Sequence, residues 1–157
     1  MHERDSVFTG KTLLDYRDLL KQAISLRRPF TLLDYGCGKG QQYAGGGLHE
    51  EWDYDGVPTL YDPCYAPFAK KPSGTYDGVI CTDVLEHVPE DYLSRVIQDI
   101  FDYAVDFVFI GVSTRLAIKK LPNGNNTHST VKPIEWWGAK IDKYNLRNIK
   151  VYLTSGR

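Results

Sequence analysis

At 157 residues, 42% hydrophobic and 25% charged, the chain has material for one globular domain with one core and little room for a second. Its formal net charge of -1, with both signs scattered, offers no basic field to gather phosphates, which argues against a stand-alone nucleic-acid binder. The three cysteines, Cys37, Cys64 and Cys81, form no CxxC frame, so neither a disulfide scaffold nor a zinc cage is expected, and a reducing cytoplasm fits.

Residues 1–10 are polar and lack the apolar stretch of a leader, and no run approaches the ~20 apolar residues of a membrane span, so a soluble, unprocessed chain is expected. From 11 to 26, Leu13, Leu14, Leu19, Leu20, Ala23 and Ile24 recur at helical spacing ahead of an Arg27-Arg28-Pro29 stop. This helix should cover one face of a sheet; a lid over a pocket is the alternative. The run 30–35 reads as a strand feeding Gly36-Cys37-Gly38-Lys39-Gly40, with a short helix from about Gly40 that Gly45-Gly46-Gly47 must end. A second strand over 57–61 closes at Asp62-Pro63. Pro63, Pro67 and Pro72, with Lys70-Lys71 and Ser73-Gly74, make 64–75 an irregular crossing rather than a helix or central strand.

Residues 77–82 are apolar without interruption, as in a strand buried on both faces. Pro89 at the first helical position opens a helix over 90–104, with Glu90 and Asp91 in its first turn and Tyr92, Val96, Ile97, Ile100, Phe101 and Ala104 on one face. A buried strand over 106–112, a long polar loop over 113–130 turning at Asn123-Gly124, a helix over 133–144 and a strand near 149–154 follow. Strands alternating with helices predict an α/β fold with a doubly wound, mainly parallel sheet flanked by helices. Ligands of such sheets bind beyond the carboxyl ends of the strands, so 36–40, 62–63, 82–87 and 111–114 should converge on one pocket.

Glycines stand where backbone approaches a ligand or takes positive φ, so the loop after the first strand reads as the floor of a nucleotide-like site. A phosphate-binding P-loop needs GxxxxGK[ST], and Lys39 is followed by Gly40. A dinucleotide fingerprint needs a third glycine where Gln41 stands, which weakens a hydride-transfer reading. The pattern present is GxGxG after an acid, Asp34. Asp62 lies about 20 residues on, where a carboxylate accepts both hydroxyls of a ribose; the plainer role is a turn acid before proline.

Leu32-Leu33-Asp34-Tyr35-Gly36-Cys37-Gly38-Lys39-Gly40, then Tyr61-Asp62-Pro63, then Tyr76-Asp77-Gly78-Val79-Ile80-Cys81-Thr82-Asp83-Val84-Leu85-Glu86-His87-Val88 together resemble the signature of class I S-adenosylmethionine-dependent methyltransferases. The resemblance implies S-adenosylmethionine as cofactor and S-adenosylhomocysteine as product. It implies that Asp34, Gly36, Cys37, Gly38 and Gly40 surround the methionine end, with Asp34 orienting its amine. Asp62, followed by Pro63, would take the ribose hydroxyls, and Thr82 and Asp83 would flank the methionine moiety and the departing methyl. The implied fold is Rossmann-like and reduced relative to the family's seven-stranded sheet. The expected layout is one methyltransferase domain over 1–157: a covering helix in 1–28, a cofactor-binding core in 30–112, and a substrate-side loop, helix and strand in 113–157. Two departures stand out: 64–75 holds no Asp or Glu to meet the adenine amino group, leaving backbone or Tyr65 stacking, and a single terminal strand stands where the family has a hairpin.

For the methyl acceptor, His128 in the polar loop is a candidate catalytic base, since histidine is nearly matched to neutral pH. His87 and Trp136 are candidate acceptor contacts, His87 with a structural role as its plainer reading and Trp136 paired with Trp137 as one surface and one core ring. Asp83, Glu86, His87 and His128 also make a candidate set for a hard divalent metal, and quinone-pathway O-methyltransferases look similar here. Lys119-Lys120 reads as a solvated pair, or as contacts to an anionic acceptor. Nucleic-acid acceptors lack support: the tetrad of base N-methyltransferases is missing after Cys81, Pro63-Cys64 follows the wrong strand for cytosine attack, and no target-recognition segment fits. The expected activity is therefore methyl transfer to oxygen or nitrogen of a small molecule. The alternatives are a non-catalytic S-adenosylmethionine-binding or regulatory module and, third, an NAD-dependent reductase.

Overall fold

The computed structural model describes residues 11–45 and 47–156. Five strands, β1 (Leu32–Tyr35), β2 (Thr59–Tyr61), β3 (Tyr76–Thr82), β4 (Ala104–Val112) and β5 (Lys150–Ser155), form one sheet in the order β2-β1-β3-β4-β5. Every pairing is parallel, and one row of the ladder runs Thr59, Leu33, Val79, Val108, Val151 across the whole sheet. This is the expected Rossmann-like sheet in reduced form. Among the described residues it has no antiparallel member, and β5 lies directly on β4.

Side chains alternate along a strand, so neighbouring residues serve opposite layers. Leu33, Val79, Cys81, Val108 and Ile110 face α2 (Glu90–Tyr103) and α3 (Ile134–Asp142), which contribute Leu93, Ile97, Ile100, Phe101, Trp137 and Ile141. Leu32, Ile80, Phe107 and Phe109 face the other layer, where α1 (Arg17–Arg27) packs Leu20, Ala23 and Ile24 beside Tyr43, Leu48 and Trp52. The N-terminal helix thus covers a face of the sheet. It stops where Arg28 turns left-handed (φ 50) and its N–H returns to the Ile24 carbonyl.

Several expected details differ. Residues 11–16 form a 3-10 helix rather than α-helix, and Leu14 and Leu19 are exposed while Leu13 and Tyr16 are buried. The helix expected from Gly40 is one 3-10 turn, Gln41–Tyr43, because its two polar residues turn inward to Asp34 instead of continuing along an axis. Phe30 stays outside the first strand, 93% exposed, as the N–H groups of Phe30 and Thr31 bond to the Asp77 carboxylate. On α2, Pro89 is the cap rather than the first helical residue, so the buried stripe passes through Leu93 and leaves Tyr92 outside, while Ala104 already belongs to β4.

A cleft of about 540 Å³ at the amino ends of the strands, lined by Arg27, Asp106, Arg147 and Lys150, lies at the far end from the glycine loop. Its charges serve the fold: Arg27 clasps Asp106, and Arg147 bonds the Phe101 and Ala104 carbonyls at the end of α2.

Candidate active site

The glycine loop leaves β1 and folds onto its neighbours. Gly36, Gly38 and Gly40 all have positive φ (86, 59 and 67), conformations that side chains resist. A Cβ on Gly36 would stand 2.2 Å from Val84 Cγ2, so the loop is pressed against the chain leaving β3. The Gly36 and Cys37 N–H groups donate to the Tyr61 carbonyl (2.7 and 3.2 Å), and Gly38 N–H donates to Asp62 Oδ2 (2.8 Å). Three strand ends meet there.

Asp62 is fixed by a second bond, from Cys64 N–H to Oδ1 (2.8 Å). Each carboxylate oxygen has two acceptor sites, so each retains one. The adjoining Pro63 is exposed. Where the crossing lacks an acid, it supplies rings: Tyr65 and Phe68 pack with centroids 5.4 Å apart, and the Phe68 carbonyl accepts Asp62 N–H (3.0 Å).

Asp34 faces the interior, not the loop surface. Its Oδ2 accepts from Tyr43 Oη (2.8 Å) and Gln42 Nε2 (3.1 Å), and Gln42 also reaches the Cys37 carbonyl. Burial pushes its carboxyl up to about 6, against the pull of the Tyr43 and Gln42 bonds. Asp34 therefore pins the loop from beneath. Gln42 and Tyr43 are the partners that sequence reasoning passed over; two polar residues in a short turn ahead of a glycine run were the available signal. Cys37 is buried, and burial first, then Asp34 and Asp62, raise its thiol.

The second half of the site begins at Thr82, buried and opposite Gly111. Asp83 is left-handed without being glycine (φ 57), and its N–H is held by the Gly111 carbonyl (3.0 Å). This bend sends the chain into the 3-10 turn Leu85–His87, which buries Glu86 and returns His87 over Asp83, Nε2 to Oδ1 at 3.8 Å. His87 Nδ1 lies 2.8 Å from the Thr127 carbonyl and His128 Nδ1 lies 2.6 Å from the Arg115 carbonyl. A carbonyl only accepts, so both Nδ1 atoms carry hydrogen and Nε2 is the ligand-capable nitrogen of each ring. The rings meet edge to face, centroids 4.8 Å apart.

Asp83, His87 and His128 each offer a ligand atom within 4.8 Å of the others. One carboxylate and two imidazoles suit a divalent transition ion, and a histidine whose other nitrogen is tethered to a carbonyl is the usual supporting arrangement of a metal ligand. Glu86, expected in the same set, does not join it: its Oε1 accepts Ser113 N–H (2.7 Å) and its backbone carbonyl accepts Thr130 N–H (3.0 Å). Burial, then the charge of Asp83, pushes Glu86 up to about 8, so at neutral pH it keeps its proton beside Asp83. Burial would raise Asp83 too, but the neighbouring His87 and Glu86 win and hold it low. For His87 burial favours the neutral ring, and Asp83 with the Thr127 carbonyl outweighs it.

Tyr16 is a neighbour with no advance signal. Its ring fills the space a Cβ on Gly111 would take, and burial followed by the Glu86 and Asp83 charges raises its phenol. Trp136 is half-buried, edge-on to Trp137 (5.2 Å), with Lys132 and Lys140 over its ring at 5.3 and 5.9 Å, while Trp137 is core.

Compared with known proteins, the chain matches the family model described as a methyltransferase domain over residues 8–149. No curated protein and no solved structure matches.

Proposed function

The chain belongs to the class I S-adenosylmethionine-dependent methyltransferases, and from that premise we propose that it carries the methyl group of S-adenosylmethionine to a hydroxyl of a small molecule held over Asp83, His87 and His128. The observation behind this reading is the meeting of those three side chains within 4.8 Å, beside Val84, the residue that packs on Gly36 of the glycine loop. The backbone of 36–40 would hold the methionine end. Asp62 would take the ribose hydroxyls on its remaining acceptor sites, and the Tyr65–Phe68 pair would lie along adenine.

Transfer breaks the carbon–sulfur bond of the sulfonium and forms a carbon–oxygen bond, and the hydroxyl must lose its proton on the way. A divalent ion, when bound by Asp83, His87 and His128, supplies a Lewis acid that lowers the pKa of such a hydroxyl. The chain's own part is rigidity. Thr127 and Arg115 carbonyls fix the two rings, and the Gly111 carbonyl holds Asp83 in place through its N–H.

The test is release of S-adenosylhomocysteine with a panel of phenols, aliphatic alcohols and amines, after chelation and after adding Mg²⁺, Mn²⁺ or Zn²⁺. Hydroxyl acceptors should turn over and metal should accelerate them. Turnover of amines alone, indifferent to chelation, would remove the hydroxyl and metal parts; cofactor binding without any turnover would favour the non-catalytic module.

A further inference from the structure

We infer that the hairpin over 115–126 is a docking element for an anionic lipid surface. Ile118 is fully exposed at 102%, Leu116 at 69% and Leu121 at 44%. These apolar side chains are held out by a built turn: Lys120 pairs antiparallel with Asn126, Leu121 N–H bonds the Asn125 carbonyl (2.7 Å), and the Asn126 amide grips both N–H and C=O of Ala117 (3.0 and 2.8 Å). Around them stand Arg115, Lys119 and Lys120, and from Ser113 to Ile134 the chain has no acid, although its net charge is -1 overall.

Aliphatic tips flanked by cations match a membrane interface, where the tips enter the headgroup boundary and the cations meet anionic headgroups. Single-stranded nucleic acid binds on aromatic platforms, and 115–126 holds no aromatic residue. The contact is with a surface, since no helix among the described residues is long and apolar enough to cross a membrane. The root of the hairpin belongs to the site: the Arg115 carbonyl accepts from His128 Nδ1, and Asn126 Oδ1 accepts His128 N–H (2.9 Å). A docked hairpin holds the Asp83–His128 cluster at the bilayer surface, within reach of an acceptor dissolved in it.

The test is co-sedimentation of the full chain with vesicles of phosphatidylcholine alone or with about a third phosphatidylglycerol, at low and high salt. The expected result is binding to the anionic vesicles only, released by salt, and weakened at least roughly tenfold both by Ile118→Asp and by Lys119→Gln with Lys120→Gln. Leu116→Ser is a second, milder variant, and unchanged thermal melting shows that each variant folds. No binding to anionic vesicles at low salt, binding that Ile118→Asp leaves intact, or preference for a single-stranded oligonucleotide over the vesicles would overturn the inference.

Discussion

The two halves of the site are built in different ways. On the β1–β2 side, Gly36, Cys37, Gly38 and Asp62 are joined by backbone N–H groups to one carbonyl and one carboxylate, within a single loop and the next strand end. On the β3–β4 side, Asp83, His87 and His128 are brought together by a left-handed residue, a buried acid and two histidines anchored to carbonyls 40 and 13 residues away in sequence. The first half is a backbone cradle, intolerant of a Cβ added at Gly36 or Gly40. The second is a side-chain cluster in which each group sets its neighbour's charge.

The largest effect is expected in the side-chain half. His128→Ala should lower turnover on the order of 100-fold or more, since a Lewis-acid or base contribution is worth several kcal/mol, while S-adenosylmethionine affinity stays near wild type. Equal losses of both, read by steady-state kinetics and calorimetry, would merge the two halves. A rise in melting temperature with Mn²⁺ should vanish in the same variant.

In the cradle, Gly36→Ala should destabilise by roughly 2–4 kcal/mol in urea unfolding, the sum of a forced contact and a left-handed alanine. The contact is with Val84 Cγ2, 2.2 Å from the new Cβ, so adding Val84→Ala should restore part of the loss. No recovery would mean that backbone strain alone decides. Asp62→Ala should weaken S-adenosylmethionine binding by about 1.5–3 kcal/mol, the range for charge-assisted hydrogen bonds.

The gentlest effect is a slope, spread over several pH units. Glu86, raised from an ordinary 4.5 to about 8, holds a proton in the folded state that the unfolded chain has already released between those values. Its stabilisation is complete below about 4.5 and is lost as pH rises through about 8, at up to about 1.4 kcal/mol per pH unit. His87, also raised, adds the same sign near the upper end. Glu86→Gln should flatten this decline in metal-free protein; an unchanged slope would mean Glu86 is ionised when folded.

The same contrast explains what could be read in advance. GxGxG after Leu32-Leu33-Asp34, Asp62 at the next strand end and the apolar runs of β3 and β4 are local patterns, and the parallel sheet follows from their alternation with helices. Leu93 replaced Tyr92 on the buried stripe because the cap position sets the helical phase. The turn after Gly40 depended on Asp34 drawing Gln42 and Tyr43 inward. Glu86 left the metal set because Ser113 and Thr130, far along the chain, claimed it. His128 was visible as a residue, but its meeting with His87 depends on a hairpin whose hold, through Asn126, no periodicity announces.

The central claim, a sulfonium cofactor seated on the glycine loop, is tested most directly by calorimetric titration of the purified chain with S-adenosylmethionine and S-adenosylhomocysteine, NAD serving as the comparison. Both sulfur ligands should bind well below millimolar and NAD should not. Binding of NAD alone, or of neither sulfur ligand below millimolar, would contradict it.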